Sequence, residues 1–203
     1  GGGTGIGKAI SLAFADEGAA VVVAARNLAR LEEVAKDVKS KGGKAKAIQT
    51  DISDQKQVQR MVAQTIEEFG QIDILVNNAA MSTLNNADVA DMNLDKWHET
   101  LAINLTGTML CSREVLKYMI PRRSGNIINV SSVAGLSGVP KESPYSVSKW
   151  GIIGLTETLA IEAGKHNIRV NCISPGATRT QEFEDWVKRS AKSVGISYEE
   201  VMR

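Results

Sequence analysis

GGGTGIGKAISLAFADEGAAVVVAARN, residues 1–27, runs from a glycine-rich turn through a helix into an apolar strand. Ile6, Ala9, Ile10, Ala13 and Phe14 recur at helical spacing, and Gly18 supplies a stop. AAVVVAA (19–25) is a continuous apolar run between turn residues, as in a parallel strand covered on both faces. A glycine turn that opens a helix is a place for phosphate. Gly1, Gly5 and Gly7 meet three demands: a tight turn, backbone amides free to approach a pyrophosphate, and close packing of helix on sheet. The helix after Gly5 points its positive end at the same spot.

The same alternation continues outward. Asn27 caps a helix whose Leu28, Leu31, Val34, Ala35 and Val38 share a face, ending at Gly42-Gly43. AKAIQTD (45–51) is a strand, and 53–69 repeats the helical pattern with Val58, Met61, Val62, Thr65, Ile66 and Phe69. IDILVNN (72–78) is a strand, followed by a loop to about Asp91. A long helix is expected from about Leu94 to Met119, with Pro121 beyond its end. NIINVSS (126–132) is a strand, and a loop rich in Gly, Ser and Pro leads to a helix start at Ser143-Pro144: a capping hydroxyl, then a proline where no amide donor is needed. That helix reaches about Gly164. IRVNCIS (168–174) is the last strand-like run, and 181–203 is helical, amphipathic and more charged.

Strands separated by helices of this length give right-handed crossovers. The expectation is one doubly wound parallel α/β sheet, a Rossmann fold in three αβα layers, forming a single domain over 1–203. In that architecture a central strand feeds the glycine turn, so a strand ahead of Gly1 is expected, and another after Arg203. Without the central strand, neighbouring backbone groups would stand unpaired.

Bulk properties exclude other classes. The 203 residues are 43% hydrophobic and 23% charged, enough for one packed core. A net charge of +1 argues against a surface for nucleic acid. No apolar run approaches the roughly 20 residues that cross a bilayer, so no membrane association is expected. Cys111 and Cys172 lack CxxC spacing and read as reduced thiols in a cytoplasmic protein. His98 and His166 are too isolated for a metal site, and no metal is expected.

The chemistry gathers elsewhere. Tyr145 and Lys149, four apart on a helix, share a face. A phenol is a weak base at neutral pH, and a nearby ammonium favours phenolate. Taken alone, the spacing also fits an ordinary surface pair. Four strand ends weigh against that: Arg26, Asp51, Asn77-Asn78 and Ser131-Ser132 all fall at the carboxyl edge, where open sheets bind ligands.

GGGTGIG, Asp51-Ile52, NNAA (77–80), Asn104, the serine ahead of the loop, YSVSK (145–149) and PGATRT (175–180) together resemble the short-chain dehydrogenase/reductase family along the whole chain. Members acting on 3-oxoacyl thioesters and on gluconate-type sugar acids are the most similar. The resemblance implies that Tyr145 is the general acid/base and that Ser132 binds the substrate oxygen, with Ser131 as its rival. It implies that Lys149 binds the nicotinamide ribose and lowers the tyrosine pKa. Asn104 would hold a water through a local distortion of the long helix.

Cofactor contacts are implied at Gly1, Thr4, Gly5, Ile6, Gly7, Arg26, Asp51, Ile52, Asn77, Ala79, Tyr145, Lys149, Pro175, Gly176, Thr178 and Thr180. Asp51 and Ile52 would meet adenine, Asn77 and Ala79 the adenine ribose and phosphate path, and Thr180 the carboxamide or phosphates. Ala25 stands where NAD-using relatives carry an acid, and Arg26 follows, so NADP is expected over NAD. Thr4 lacks the second basic group of some NADP-preferring relatives. Ala80 departs from the family's NNAG.

Residues 134–143 and 181–203 would flank the substrate, the second as a lid, with Phe183, Trp186 and Tyr198 either touching substrate or packing the lid. Gly151, Gly154 and Ala160 allow close helix approach, and the resemblance implies a homotetramer. The expected reaction interconverts a secondary alcohol and a ketone on a small carbonyl or alcohol substrate. An NAD-dependent sugar-acid or polyol dehydrogenase is one alternative. A nucleotide-sensing protein without turnover is another.

Overall fold

The computed structural model describes residues 1–81 and 87–201, without the side chains at 182, 186, 190, 193, 194 and 201. Five parallel strands alternate with helices: α1 (Gly5–Asp16), β1 (Val21–Ala25), α2 (Leu28–Ser40), β2 (Ala45–Gln49), α3 (Gln55–Phe69), β3 (Ile74–Asn77), α4 (Leu94–Leu101), α5 (Gly107–Arg122), β4 (Gly125–Val130), α6 (Ser143–Gly164), β5 (Ile168–Ile173), α7 (Gln181–Val194) and α8 (Tyr198–Val201). The layers are αβα, as the alternation predicts.

The sheet is in two parts. β1 pairs with β2, Val21 opposite Ala45, and β3–β4–β5 form a second sheet in which Asn77 faces Asn129 and Asn129 faces Cys172. The sheet is parallel throughout, as expected, and interrupted between β1 and β3 among the described residues. Between the sheets lies a cavity of about 530 Å³, lined by Gly2, Ala24, Val76, Asn77, Cys111 and Val115 among others. The glycine segment spans it at the carboxyl edge: the Gly2 amide donates to the Ala24 carbonyl (3.2 Å), and Asn78 Nδ2 donates to the Gly1 carbonyl (3.1 Å).

Caps locate the helices. Asn27 accepts from the Arg30 amide, Asp54 from those of Lys56 and Gln57, Asn93 from Lys96, and Thr180 from Phe183. Asp54 therefore replaces Ser53 as the start of α3. Ser143 is not the cap of α6 either. Glu142 takes that position, and the Ser143 hydroxyl is buried without a partner. Pro121 lies inside the last turn of α5 instead of beyond it, next to the αL residue Arg123 that ends the helix. The long helix itself is interrupted: a π-helical turn, Ala102–Thr106, separates α4 from α5.

The main core joins Val58 and Val62 of α3, Val115 and Met119 of α5, and Ile127 and Ile168 of the three-stranded sheet. Leu31 and Val34 of α2 pack with Val21 and Val23 of β1 in a second cluster.

Candidate active site

Strand alternation decides which serine does what at the end of β4. Ser131 turns inward, buried, and donates to the Lys149 carbonyl at 2.8 Å. Ser132 turns the other way, accepts from the Ala134 amide at 3.2 Å, and stands beside the Tyr145 phenol, whose pKa it pulls down. The rival is thereby a strut. A side chain at Gly135 would stand 2.5 Å from the Ser131 hydroxyl, so the loop after Ser132 lies flat against α6.

Lys149 is 2% exposed. Its ammonium donates to the Val130 carbonyl at 2.9 Å and stands 5.5 Å from the centroid of the Tyr145 ring. Burial pushes its pKa down to about 8, with the Cys172 thiol pulling weakly the other way. Burial also raises the Tyr145 phenol. The Ser132 hydroxyl opposes that rise and the Glu142 carboxylate adds to it. The expectation that the lysine makes the phenol more acidic is thus not met in this state. The ammonium is spent on a carbonyl, lies over the ring face, and is itself half-way to losing its charge at mildly alkaline pH.

The π turn puts Asn104 where an α-helix would not. Fully buried, it accepts from the Met81 amide (2.7 Å) and donates to the Met81 carbonyl (3.0 Å) and the Ser148 hydroxyl (3.0 Å). The Thr108 hydroxyl takes up the Asn104 carbonyl at 2.7 Å. Asn104 therefore clamps the chain after β3 to α6, a use of the distortion that π turns at functional sites share. α6 approaches this turn closely because a Cβ at Gly151 would be 2.8 Å from Leu105.

At the glycine turn, Gly5 has φ +50 and faces the Thr180 methyl, 3.4 Å from a Cβ built there. A Cβ at Gly7 would fall 1.9 Å from the Gly1 carbonyl oxygen, and one at Gly1 2.6 Å from the Ala79 Cα. Thr4 occupies the N-cap without a side-chain bond. The amides of Gly5, Ile6 and Gly7 thus have no acceptor within the helix and border the gap toward Thr180. The PGATRT loop is tied to the catalytic side by the Val133 amide, which donates to the Pro175 carbonyl at 3.1 Å, and folded on itself by Thr178, which donates to the Gly176 carbonyl. The Thr180 hydroxyl caps α7, so its methyl faces the turn.

Other expected contacts are placed as follows. Arg26 is exposed just past β1, its carbonyl held by Gln49, with no ion pair among the described residues. The Asp51 carboxylate is engaged by the amide and hydroxyl of Ser53, and Ile52 packs toward Gly107. The Asn77 side chain is turned into the interior, donating to Asn129 (2.8 Å) and Ser112 (3.0 Å). Asn129 in turn donates to Thr156. The side chain that reaches the glycine turn belongs to Asn78, which sequence reasoning passed over, although a neighbour buried in a strand puts the next residue on the opposite face. Ala80 is exposed, so its methyl meets no crowding. Tyr198 donates to Glu184 (2.6 Å), which also pairs with Arg179 (3.2 Å), packing α8 on α7. The side chain of Trp186 and residues 202–203 of the expected lid lie outside the described residues. Among the described residues no helix is long and apolar enough to cross a membrane.

A family model described as short chain dehydrogenase matches residues 1–191. A 3-oxoacyl-[acyl-carrier-protein] reductase of Synechocystis sp. is 37% identical over 182 residues, covering 89% of this chain and 73% of that protein. Among solved structures, actinorhodin polyketide ketoreductase with NADPH superposes with a TM-score of 0.92 at 31% identity, covering 98% of this chain and 77% of that one. NAD+-bound xylitol dehydrogenase superposes at 0.89 with 36% identity, covering 94% and 74%.

Proposed function

The chain belongs to the short-chain dehydrogenase/reductase family and is an NAD(P)-dependent oxidoreductase, and on that footing we propose that it interconverts a secondary alcohol and a ketone with NADP(H), Tyr145 moving the proton. The observation that carries this reading is the Ser132 hydroxyl standing beside the Tyr145 phenol and favouring its ionised form, with the buried Lys149 ammonium over the same ring.

The residues fit a dinucleotide. The turn offers free amides at a helix N-terminus, and Gly5 stands on left-handed backbone (φ +50) that a side chain would strain. Gly1, Thr4, Gly5, Ile6 and Gly7 would hold the phosphates, Asp51, Ile52 and Ala79 the adenosine half, and Pro175, Gly176, Thr178 and Thr180 the nicotinamide half. Asn78 joins this set in place of the Asn77 side chain. When bound, the nicotinamide supplies or accepts the hydride.

Ser132 donates a hydrogen bond to the substrate oxygen and fixes it beside the phenol. In reduction, Tyr145 gives its proton to that oxygen as the carbonyl becomes an alcohol; in oxidation, the phenolate takes it back. Burial holds the phenol protonated, which keeps Tyr145 ready as an acid. Lys149, buried over the Tyr145 ring, would hold the nicotinamide ribose, and Asn104 holds the neighbouring chain in register.

Arg26 supports NADP(H): it is exposed, uncommitted to an ion pair among the described residues, and follows Ala25 where an acid would reject a 2′-phosphate. An NAD-dependent polyol dehydrogenase is the second reading, favoured by the match to a xylitol dehydrogenase bound to NAD+. Residues 1–203 act as one domain in this reading, with 181–203 as a substrate lid. Val147, Trp150 and Ile161, exposed along one side of α6 with Gly154 between them, suit burial in a homotetramer. Two unpaired cysteines suit a reducing compartment such as the cytoplasm.

A panel of ketones and secondary alcohols, each run with both nucleotides, tests the reading. Turnover with NADP(H) preferred supports it. NAD(H)-only turnover of polyols selects the second reading, and tight nucleotide binding without any turnover selects a sensor.

A further inference from the structure

Glu142 is the N-cap of α6, the helix that carries Tyr145 and Lys149, and its backbone is not helical. It precedes the phenol by three residues, and its carboxylate is close enough for its charge to act on that phenol. Its carbonyl accepts the Ser146 amide at 2.9 Å, and its own amide donates to the Val139 carbonyl at 3.2 Å. Those bonds pin it where the loop from Ser132 closes onto the helix.

Glu142 is half-buried, yet no hydrogen bond or ion pair reaches its carboxylate among the described residues. Burial raises its pKa, and its charge is felt at Tyr145. Lys149 serves the Val130 carbonyl, and Lys141, exposed on left-handed backbone, makes no ion pair with Glu142. The loop joining Ser132 to Tyr145 exposes Val133, Leu136 and Val139 beside Ser137 and Lys141. Glu142 is the one carboxylate on this loop. A partly desolvated, acceptor-only carboxylate gains from an O–H or N–H donor and repels an anion.

We infer that Glu142 determines substrate choice in this pocket, selecting carbonyl or carbinol compounds with a hydroxyl or ammonium donor a few atoms from the reacting carbon, and rejecting those with a carboxylate or phosphate there. The inference rests on the reading of Tyr145 as the proton-transferring group.

Three ketones of matched length test it: 2-pentanone, 5-hydroxy-2-pentanone and 4-oxopentanoate. Their kcat/KM values with NADPH, and their binding to the NADP-loaded protein, are measured for wild type, Glu142→Gln and Glu142→Lys. Wild type favours the hydroxyketone over 4-oxopentanoate by about tenfold or more, Glu142→Gln narrows the ratio to about threefold, and Glu142→Lys reverses it. A ratio unchanged by both substitutions, or a wild-type preference for 4-oxopentanoate, overturns the inference. The binding series gives the same ordering without turnover, so it judges Glu142 even if a variant is slow. Failure of the underlying reading has a different signature: Tyr145→Phe would then reduce the preferred ketone as fast as wild type.

Discussion

At the catalytic end of the site, side chains lock one another in place: Ser131 holds the Lys149 backbone, Lys149 holds the Val130 carbonyl, Ser132 meets Tyr145, and Asn104 ties Met81 to Ser148. At the nucleotide end the work is done by missing side chains. Gly1, Gly5 and Gly7 leave room for backbone, and Asn78 supplies a bond across to the turn. One end is made of positive commitments among buried polar groups, which tolerate few substitutions because each loss strands a partner. The other is made of space, and any added atom is the hazard.

That contrast can be broken from either side. Lys149→Met removes the buried charge, and turnover falls by about 10³-fold. Stability responds to pH. The folded pKa, about 8, lies below the ordinary 10.5, so the unfolded chain holds the proton more tightly and the charged lysine destabilises the fold. This penalty is complete below pH 8 and fades as pH rises toward 10.5. The variant escapes that penalty, worth up to about 3 kcal/mol at pH 7, but strands the Val130 carbonyl at a cost of about 1–3 kcal/mol. Its melting temperature relative to wild type therefore falls as pH is raised from 7 to 10.5 in a series of thermal unfolding curves.

The serine pair sharpens the catalytic end. Ser132→Ala lowers kcat by about 10²-fold with little change in melting temperature, since it removes a donor to the substrate oxygen. Ser131→Ala does the reverse, costing about 1–2 kcal/mol in stability by leaving the Lys149 carbonyl unpaired, with a smaller loss in kcat. Equal kinetic effects from the two would erase the distinction drawn by strand alternation.

At the other end, Gly7→Ala drives a methyl into the Gly1 carbonyl and weakens nucleotide affinity by about 10- to 100-fold, read by titration of the protein with NADPH. Arg26→Asp changes the least in absolute rate. It moves the NADPH to NADH preference by about tenfold toward NADH, and an unchanged ratio removes the phosphate role.

Sequence reading fared differently at the two ends for the same reason. The helices and strands and the Tyr145–Lys149 face were legible because side-chain identity and spacing carry them, whereas Ser132 was preferred to Ser131 on the family resemblance. The distortion at Asn104 came only with the family resemblance, since no periodicity in the apolar residues of AINLT (102–106) marks a π turn. What failed depends on single-residue geometry. Asn77 and Asn78 look alike, and which one faces inward is set by register with Asn129. Ser143 has the right letter for a cap, but the helix starts with Glu142 in that place. The effect of burial on Tyr145 and Lys149 was misjudged because spacing shows that two groups are close, not what each loses in leaving water.

The most direct measurement is kcat/KM of Tyr145→Phe, taken with the nucleotide dissociation constant on the same preparation. The account predicts a fall of about 10³-fold or more in turnover with NADPH affinity within about threefold of wild type. Turnover above a tenth of wild type, or a parallel collapse of nucleotide binding, would contradict it.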